Sequence, residues 1–186
     1  MLSPLKGSLK SFRLALSNWG LSWGGVIDNR QGEWWLIAQI ILVIAHLLPA
    51  YPPFAVLGLL WPTGLTVLGI CLLFVGIVLV GMAFLCLGVN LSPLPIPKTG
   101  ANLVTRGSYS SCRHPLYRGL IISSIGVMIA LGSILHLLIL VSLTMLLISK
   151  AKKEEQQLRK KHSKYINYMK STPAIFPGIP YLDWRA

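Results

Sequence analysis

Residues 34 to 97 contain no Asp, Glu, Lys or Arg, and residues 119 to 149 contain none either. Two apolar blocks of that length restrict the folds open to the chain, because a transmembrane helix needs about 20 apolar residues to cross a hydrocarbon core of about 30 Å. The first block accommodates two crossings. One is expected near Trp34–Leu48, ending at the turn-rich Pro49-Ala-Tyr-Pro-Pro53, and the other near Gly64–Leu87, with Phe54–Trp61 as an apolar lead-in. The second block, as one straight helix, would measure about 46 Å at about 1.5 Å per residue, too long for the core without strong tilt. Gly132-Ser133 near its middle suits a tight turn. Two helices, Leu116–Leu131 and Ile134–Lys150, are therefore expected as a hairpin.

Charge supports that count. The formal net charge is +12, and with four crossings all 17 Lys and Arg residues fall on one side while the two opposite loops carry none. The positive-inside rule makes that side cytoplasmic, with both termini there. Three crossings would strand the basic C-terminal tail on the other side. Hydrophobic residues make up 54% of the chain and charged ones 12%, outside the range of soluble domains. The basic charge accordingly reflects topology and anionic lipid rather than nucleic acid. Cys71, Cys86 and Cys112 have neither metal nor disulfide spacing and read as packing residues; no metal is expected. The first 33 residues lack a continuous apolar run of the signal-peptide kind.

Before the first crossing, Leu5, Leu9, Phe12, Leu16, Trp19 and Trp23 recur at spacings of four and three, flanked by Lys6, Lys10 and Arg13. That pattern describes an amphipathic helix, lying either in the membrane interface or on the protein's own cytoplasmic face. Residues 1–33 thus form an N-terminal segment and residues 34–186 the membrane-embedded domain. Between the second and third crossings, Pro93, Pro95 and Pro97 exclude a regular helix. After the fourth, Lys150–Lys170 reads as a cytoplasmic continuation of the helix, with Leu158, His162, Tyr165 and Met169 as a stripe. The closing Pro173–Pro180 is proline-broken and suited to folding back over the membrane surface.

A dense polar knot, Ser111-Cys-Arg-His-Pro-Leu-Tyr-Arg-Gly-Leu120, stands at the mouth of the second apolar block. Pro115 suits the first turn of a helix, which puts Arg113 and His114 at its entrance. Glu154 and Glu155, the only acids between Glu33 and Asp183, emerge at the same face if the hairpin forms. A pocket with cationic groups on one wall and carboxylates on the other suits a zwitterionic ligand, and its lipid side admits a hydrophobic one. His46 and His136 read as neutral, hydrogen-bonded histidines away from this site, and Trp61 and Trp184 as interface anchors.

The run Leu103-Val-Thr-Arg-Gly-Ser-Tyr-Ser-Ser-Cys-Arg-His-Pro-Leu-Tyr-Arg-Gly119 resembles the LVxxGxY…RHPxYxG signature of the isoprenylcysteine carboxyl methyltransferase and phospholipid methyltransferase group. The glutamate pair, Tyr165 and Tyr168, and Ile175-Phe176-Pro177 resemble that group's C-terminal half. The resemblance, over about residues 60–180, implies an integral membrane methyltransferase using S-adenosylmethionine, with the cofactor part at about 98–180. Carried over by motif, cofactor contacts fall on Ala101, Asn102, Leu103, Val104, Tyr109, His114, Pro115, Leu116, Tyr117 and Glu154, and substrate contacts on Lys150 and Arg113. The group commonly has an arginine one turn before the first glutamate. Lys150 stands there, keeping the charge but not the bidentate fork. The implied reaction is displacement at a sulfonium methyl by a lipophilic carboxylate, thiol or amine, with no residue marked as general base. Two other readings remain: an NADPH-dependent membrane reductase, because sterol-reductase-like enzymes share a similar R-H-P-x-Y-x-G element, and a non-enzymatic lipid-binding protein. A prokaryotic inner membrane, or an organellar or endoplasmic reticulum membrane, is the expected location.

Overall fold

Gly132 ends one helix and Ser133 begins the next. In the computed structural model, Gly132 adopts the left-handed conformation (φ 51°), capping the helix before it, and Ser133 is extended and opens the helix after it. The expected hairpin turn lies there. The structure describes residues 27–96, 100 and 102–185. The amphipathic helix expected over residues 5–23, and Ala101, lie outside the described residues.

Among these residues there are six α-helices and no β-strand: α1 (Glu33–Ala45), α2 (Thr63–Leu87), α3 (Ser108–Ser111), α4 (Pro115–Leu131), α5 (Ile134–Lys161) and α6 (Tyr165–Ser171). Single 3-10 turns occupy Phe54–Leu57 and Gly88–Asn90. Two helices, α2 and α5, are long and apolar enough to cross a membrane; α1 and α4 are shorter apolar helices. Only 11% of the apolar stretch of α2 is buried within the protein. Phe74 is 67% exposed and Leu85 80%. A helix apolar on all sides and this bare suits lipid rather than water.

What α2 buries is backbone. Gly69, Gly76 and Ala83 are its buried residues, and Gly119 and Gly126 are buried in α4. A Cβ on Gly69 would sit 2.3 Å from the Ala130 amide nitrogen, one on Gly76 2.5 Å from that of Ser123, and one on Gly126 2.4 Å from that of Leu73. The two helices therefore touch main chain to main chain along small residues seven apart. Close approach of this kind is how apolar helices associate where lipid removes the hydrophobic driving force.

The far ends of α4 and α5 are tied by the segment between α1 and α2. Phe54 N–H donates to Gly132 O (2.7 Å), Leu135 N–H to Tyr51 O (2.9 Å), and the Ser133 hydroxyl accepts from Tyr51 N–H (2.9 Å). Trp61, expected as an interface anchor, donates its indole N–H to Ile129 O and covers Gly132. His46 is hydrogen-bonded to Leu42 O and Ser124 Oγ. His136 departs from expectation: it is fully buried, and neither ring nitrogen has a partner among the described residues.

The expected continuous helix over Lys150–Lys170 is broken. α5 ends at Lys161, His162 turns extended, and α6 starts at Tyr165. The break aims the second half of the stripe inward, so that Tyr165 and Met169 are buried. The C-terminal segment then folds back onto the polar knot, where Arg113 N–H donates to Pro173 O (2.9 Å) and His114 N–H to Ala174 O (3.0 Å).

Candidate functional site

Pro115 occupies the first turn of α4 and His114 its cap, so the knot's side chains emerge where the helix begins. Hairpin geometry brings the glutamates of α5 against them. The contact is direct. Arg113 Nε donates to Glu155 Oε1 (2.8 Å) and Nη2 to Oε2 (3.3 Å). Its other donors reach Met169 O (2.8 Å), Thr172 O (2.7 Å) and Trp184 O (3.2 Å). All five donors of the guanidinium are thereby taken. Arg113, expected at the substrate, is placed as a clamp between α5, α6 and the C-terminal segment.

Glu155 completes the clamp. It also accepts from His114 Nε2 (2.9 Å) and from the Trp184 indole (2.7 Å). Glu154 faces the other way. Tyr117 OH donates to its Oε1, and its Oε2 lies 3.7 Å from His114 Nδ1. The His114 ring stacks on that of Tyr117, with centroids 5.3 Å apart and planes 3° from parallel.

These groups form the floor of a cavity of about 280 Å3. Tyr109, Arg113, His114, Leu116, Tyr117, Lys150 and Glu154 line it, all seven among the expected site residues. Asn102, Leu103 and Val104 do not; the Asn102 amide instead donates to Asn90 Oδ1 (3.0 Å), and Asn90 does line the cavity. Pro115 contributes its helix start rather than a wall. Leu36 and Gln39 of α1, Phe84 and Leu87 of α2, Leu158 of α5 and the loop Asn90–Pro95 supply the rest. Sequence reasoning missed Gln39 and that loop. A signal existed for Gln39, the only amide side chain between Glu33 and His46. The loop had none beyond its prolines.

Lys150 is 2% exposed. Its Nζ donates to Gln39 Oε1 (2.7 Å) and Pro93 O (2.9 Å), and it stands 5.5 Å from the Tyr117 ring centroid. Burial, and then the charge of Glu154, push the Tyr109 phenol well above its ordinary pKa. Burial does the same to Tyr168, whose hydroxyl donates to Tyr109 O. Both phenols stay neutral donors at any working pH. Burial likewise raises the Cys112 thiol, consistent with a packing residue. Among the described residues no three His, Cys, Asp or Glu side chains gather as metal ligands would.

Fold and site together define a helical membrane protein with a polar-floored, apolar-walled cavity at the end of its helices. The family model for phospholipid methyltransferases matches residues 65–165. The chain belongs to that family, and is thus a membrane methyltransferase. A comparison with curated proteins found no match.

Proposed function

We propose that the protein transfers a methyl group from S-adenosylmethionine to a lipophilic acceptor that reaches the cavity from the bilayer. The observation that carries this reading is the convergence of Tyr109, His114, Tyr117 and Glu154 on a single cavity. Its size, about 280 Å3, stands near the lower end of the range of about 300–1,000 Å3 typical of small-molecule sites.

The residues present fit that cofactor. The Glu154 side chain is 17% exposed, has one protein donor in Tyr117, and retains acceptor capacity for an ammonium or for ribose hydroxyls. Asn90, Ser92 and Tyr109 add polar groups around it, and Leu87, Leu91 and Leu116 offer apolar surface for a flat ring. S-adenosylmethionine, when bound, supplies the methyl group already activated on a sulfonium, so the chain need provide only orientation and exclusion of water. The buried clamp of Arg113 and Glu155 fixes His114, and His114 with Tyr117 fixes Glu154. α1 packs against α5 and α2 against α4. The apolar residues Leu36 and Phe84 thus face the cavity from two different helix pairs, which supports entry of a lipid chain between α1 and α2.

We further propose four crossings, by α1, α2, α4 and α5, with both termini and the cavity on the cytoplasmic side. Calorimetric titration of the detergent-purified protein tests the cofactor. Saturable binding of S-adenosylmethionine is expected, weakened at least about tenfold, a change of about 1.4 kcal/mol, by Glu154→Gln. Binding of NADPH in its place would move the protein to the reductases, and binding of neither would sink the cofactor reading.

A further inference from the structure

We propose that His46 and His136 form a two-imidazole metal site, at the end of the helices away from the cavity, for a soft monovalent ion of the copper(I) class. The bound ion clasps α1 to the α4–α5 hairpin. Nothing in this site depends on the methyltransferase reading.

His136 stands in the first turn of α5 and is fully buried, yet both of its ring nitrogens lack a partner among the described residues. Burying a polar group without a hydrogen bond is costly, and such a group marks a place that something else completes. His46, at the C-terminal cap of α1, is its ring neighbour, with centroids 6.3 Å apart. Two imidazoles sharing one ion, at about 2 Å per metal–nitrogen bond, have centroids about 6 Å apart when their nitrogens oppose. His136 has no hydrogen bond to give up in turning a nitrogen toward that point.

The groups around His46 prepare it as a ligand. Its Nδ1 lies 2.8 Å from Leu42 O. A carbonyl only accepts, so Nδ1 carries the proton and Nε2 the lone pair. A backbone carbonyl fixing the tautomer in this way is the usual support of a metal-bound imidazole. Ser124 of α4, 2% exposed, donates its hydroxyl to Nε2 and occupies the lone pair until an ion takes it. The freed hydroxyl then turns to a carbonyl of its own helix, as serines in helices do.

Charge selects the ion. Residues 34 to 97 and 119 to 149 contain no Asp or Glu, and His46, Ser124 and His136 all lie within them. A divalent ion would bring two charges into apolar surroundings without a carboxylate to offset them. Copper suits imidazole, and its reduced form carries one charge and is satisfied by two ligands. Among the described residues no third His, Cys, Asp or Glu joins the pair, which excludes a closed tetrahedral zinc site. α1 packs against α5 and brings Leu36 into the cavity, so the clasp pins one cavity wall from its far end.

The test uses the full chain in detergent with Cys71, Cys86 and Cys112 replaced by alanine, so that no thiol competes for a soft ion. The protein is titrated anaerobically with copper(I) against a chromogenic copper(I) chelator, and one ion per chain is expected. His136→Leu should abolish binding. Because the His136 ring makes no hydrogen bond, its removal breaks none, and thermal unfolding checks that the variant folds. Ser124→Ala removes the competitor for the His46 lone pair. It should tighten binding by about threefold to tenfold, the worth of one hydrogen bond, an effect that loosened packing would not produce. X-ray absorption of the copper, read on the parent protein and so independent of any variant's folding, should show two nitrogen neighbours and no sulfur. Absence of copper binding by the folded parent, undiminished binding in His136→Leu, weaker binding in Ser124→Ala, or sulfur ligation from methionine would overturn the proposal. Uptake of Zn2+ in preference to copper(I) would overturn it too, by showing that the site tolerates two charges.

Discussion

Glu154 and Glu155 are adjacent on α5, about 100° apart around its axis, and the helix sends one to the cavity and the other to the clamp. Glu155 receives Arg113 twice, His114 and Trp184. Removing its charge leaves a guanidinium with no side-chain exposure beside a neutral amide. Breaking one partner of a buried pair costs about 3–5 kcal/mol, so Glu155→Gln should lower unfolding stability by that order, read by thermal unfolding in detergent. Glu154→Gln loses one hydrogen-bond geometry at a partly exposed position and should cost about 1 kcal/mol or less, while weakening the cofactor. A stability loss in Glu154→Gln as large as in Glu155→Gln would contradict this division of labour. The sequence marked both acids, because they are so few, and the resemblance set only Glu154 at the cofactor; the clamp that Glu155 forms was not legible. Arg113 shows why: three of its acceptors are main-chain carbonyls, on Met169, Thr172 and Trp184, and a carbonyl carries no residue identity by which sequence could single it out.

At the scale of helices, the contact that holds α2 to α4 is set by absence of side chain. Gly126 has the Leu73 amide nitrogen and the Gly69 carbonyl at 2.4 and 2.7 Å from where a Cβ would be, and neither can rotate away. Gly126→Leu must therefore push the helices apart, with a loss toward or beyond the upper end of the usual overpacking cost of about 1–3 kcal/mol. Gly81, also in α2, has nothing within 4 Å of that position, and Gly81→Leu should leave stability unchanged or slightly raised. Thermal unfolding of the two variants side by side checks the pair; equal losses would place the helix contact elsewhere. The helices themselves were legible, since charge-free length and Gly132-Ser133 located α2, α4 and the start of α5 to within a residue or two. The seven-residue glycine spacing was equally present in the chain, though only Gly119 stands inside a recognisable motif. The break at His162 was not legible, because the stripe of Leu158, His162, Tyr165 and Met169 keeps helical spacing across it. What bends the chain there is the burial of Tyr165 and the pull of Arg113 on carbonyls beyond it, which are long-range demands.

For the whole molecule, length and charge must be satisfied together. α5 has 28 residues, about 42 Å at about 1.5 Å per residue, and exceeds a core of about 30 Å. On the proposed four-crossing arrangement, the helix starting from Ile134 would leave the core near Lys150–Glu155, which would set the cavity where membrane meets water. α1 is shorter than the expected crossing, 13 residues or about 20 Å. On the same arrangement, the apolar segment after it, with Leu47 84% and Leu60 95% exposed, would complete the passage or lie in the far interface. If both termini are cytoplasmic, as proposed, Tyr51, which is 72% exposed beside the hairpin turn, faces the opposite compartment from Arg106 and Arg185. This is measurable in a chain whose Cys71, Cys86 and Cys112 are replaced by alanine and which carries one new cysteine at a time. In intact cells a membrane-impermeant maleimide should label Tyr51→Cys, while Arg106→Cys and Arg185→Cys react only after the membrane is opened. Labelling of Arg185→Cys together with Tyr51→Cys would mean an odd number of crossings, and would strand the basic tail and its clamp on the side opposite Arg106. The Arg113–Glu155 pair makes that outcome physically costly, because it binds the end of α5 to the beginning of α4 and the chain between them must cross twice or not at all.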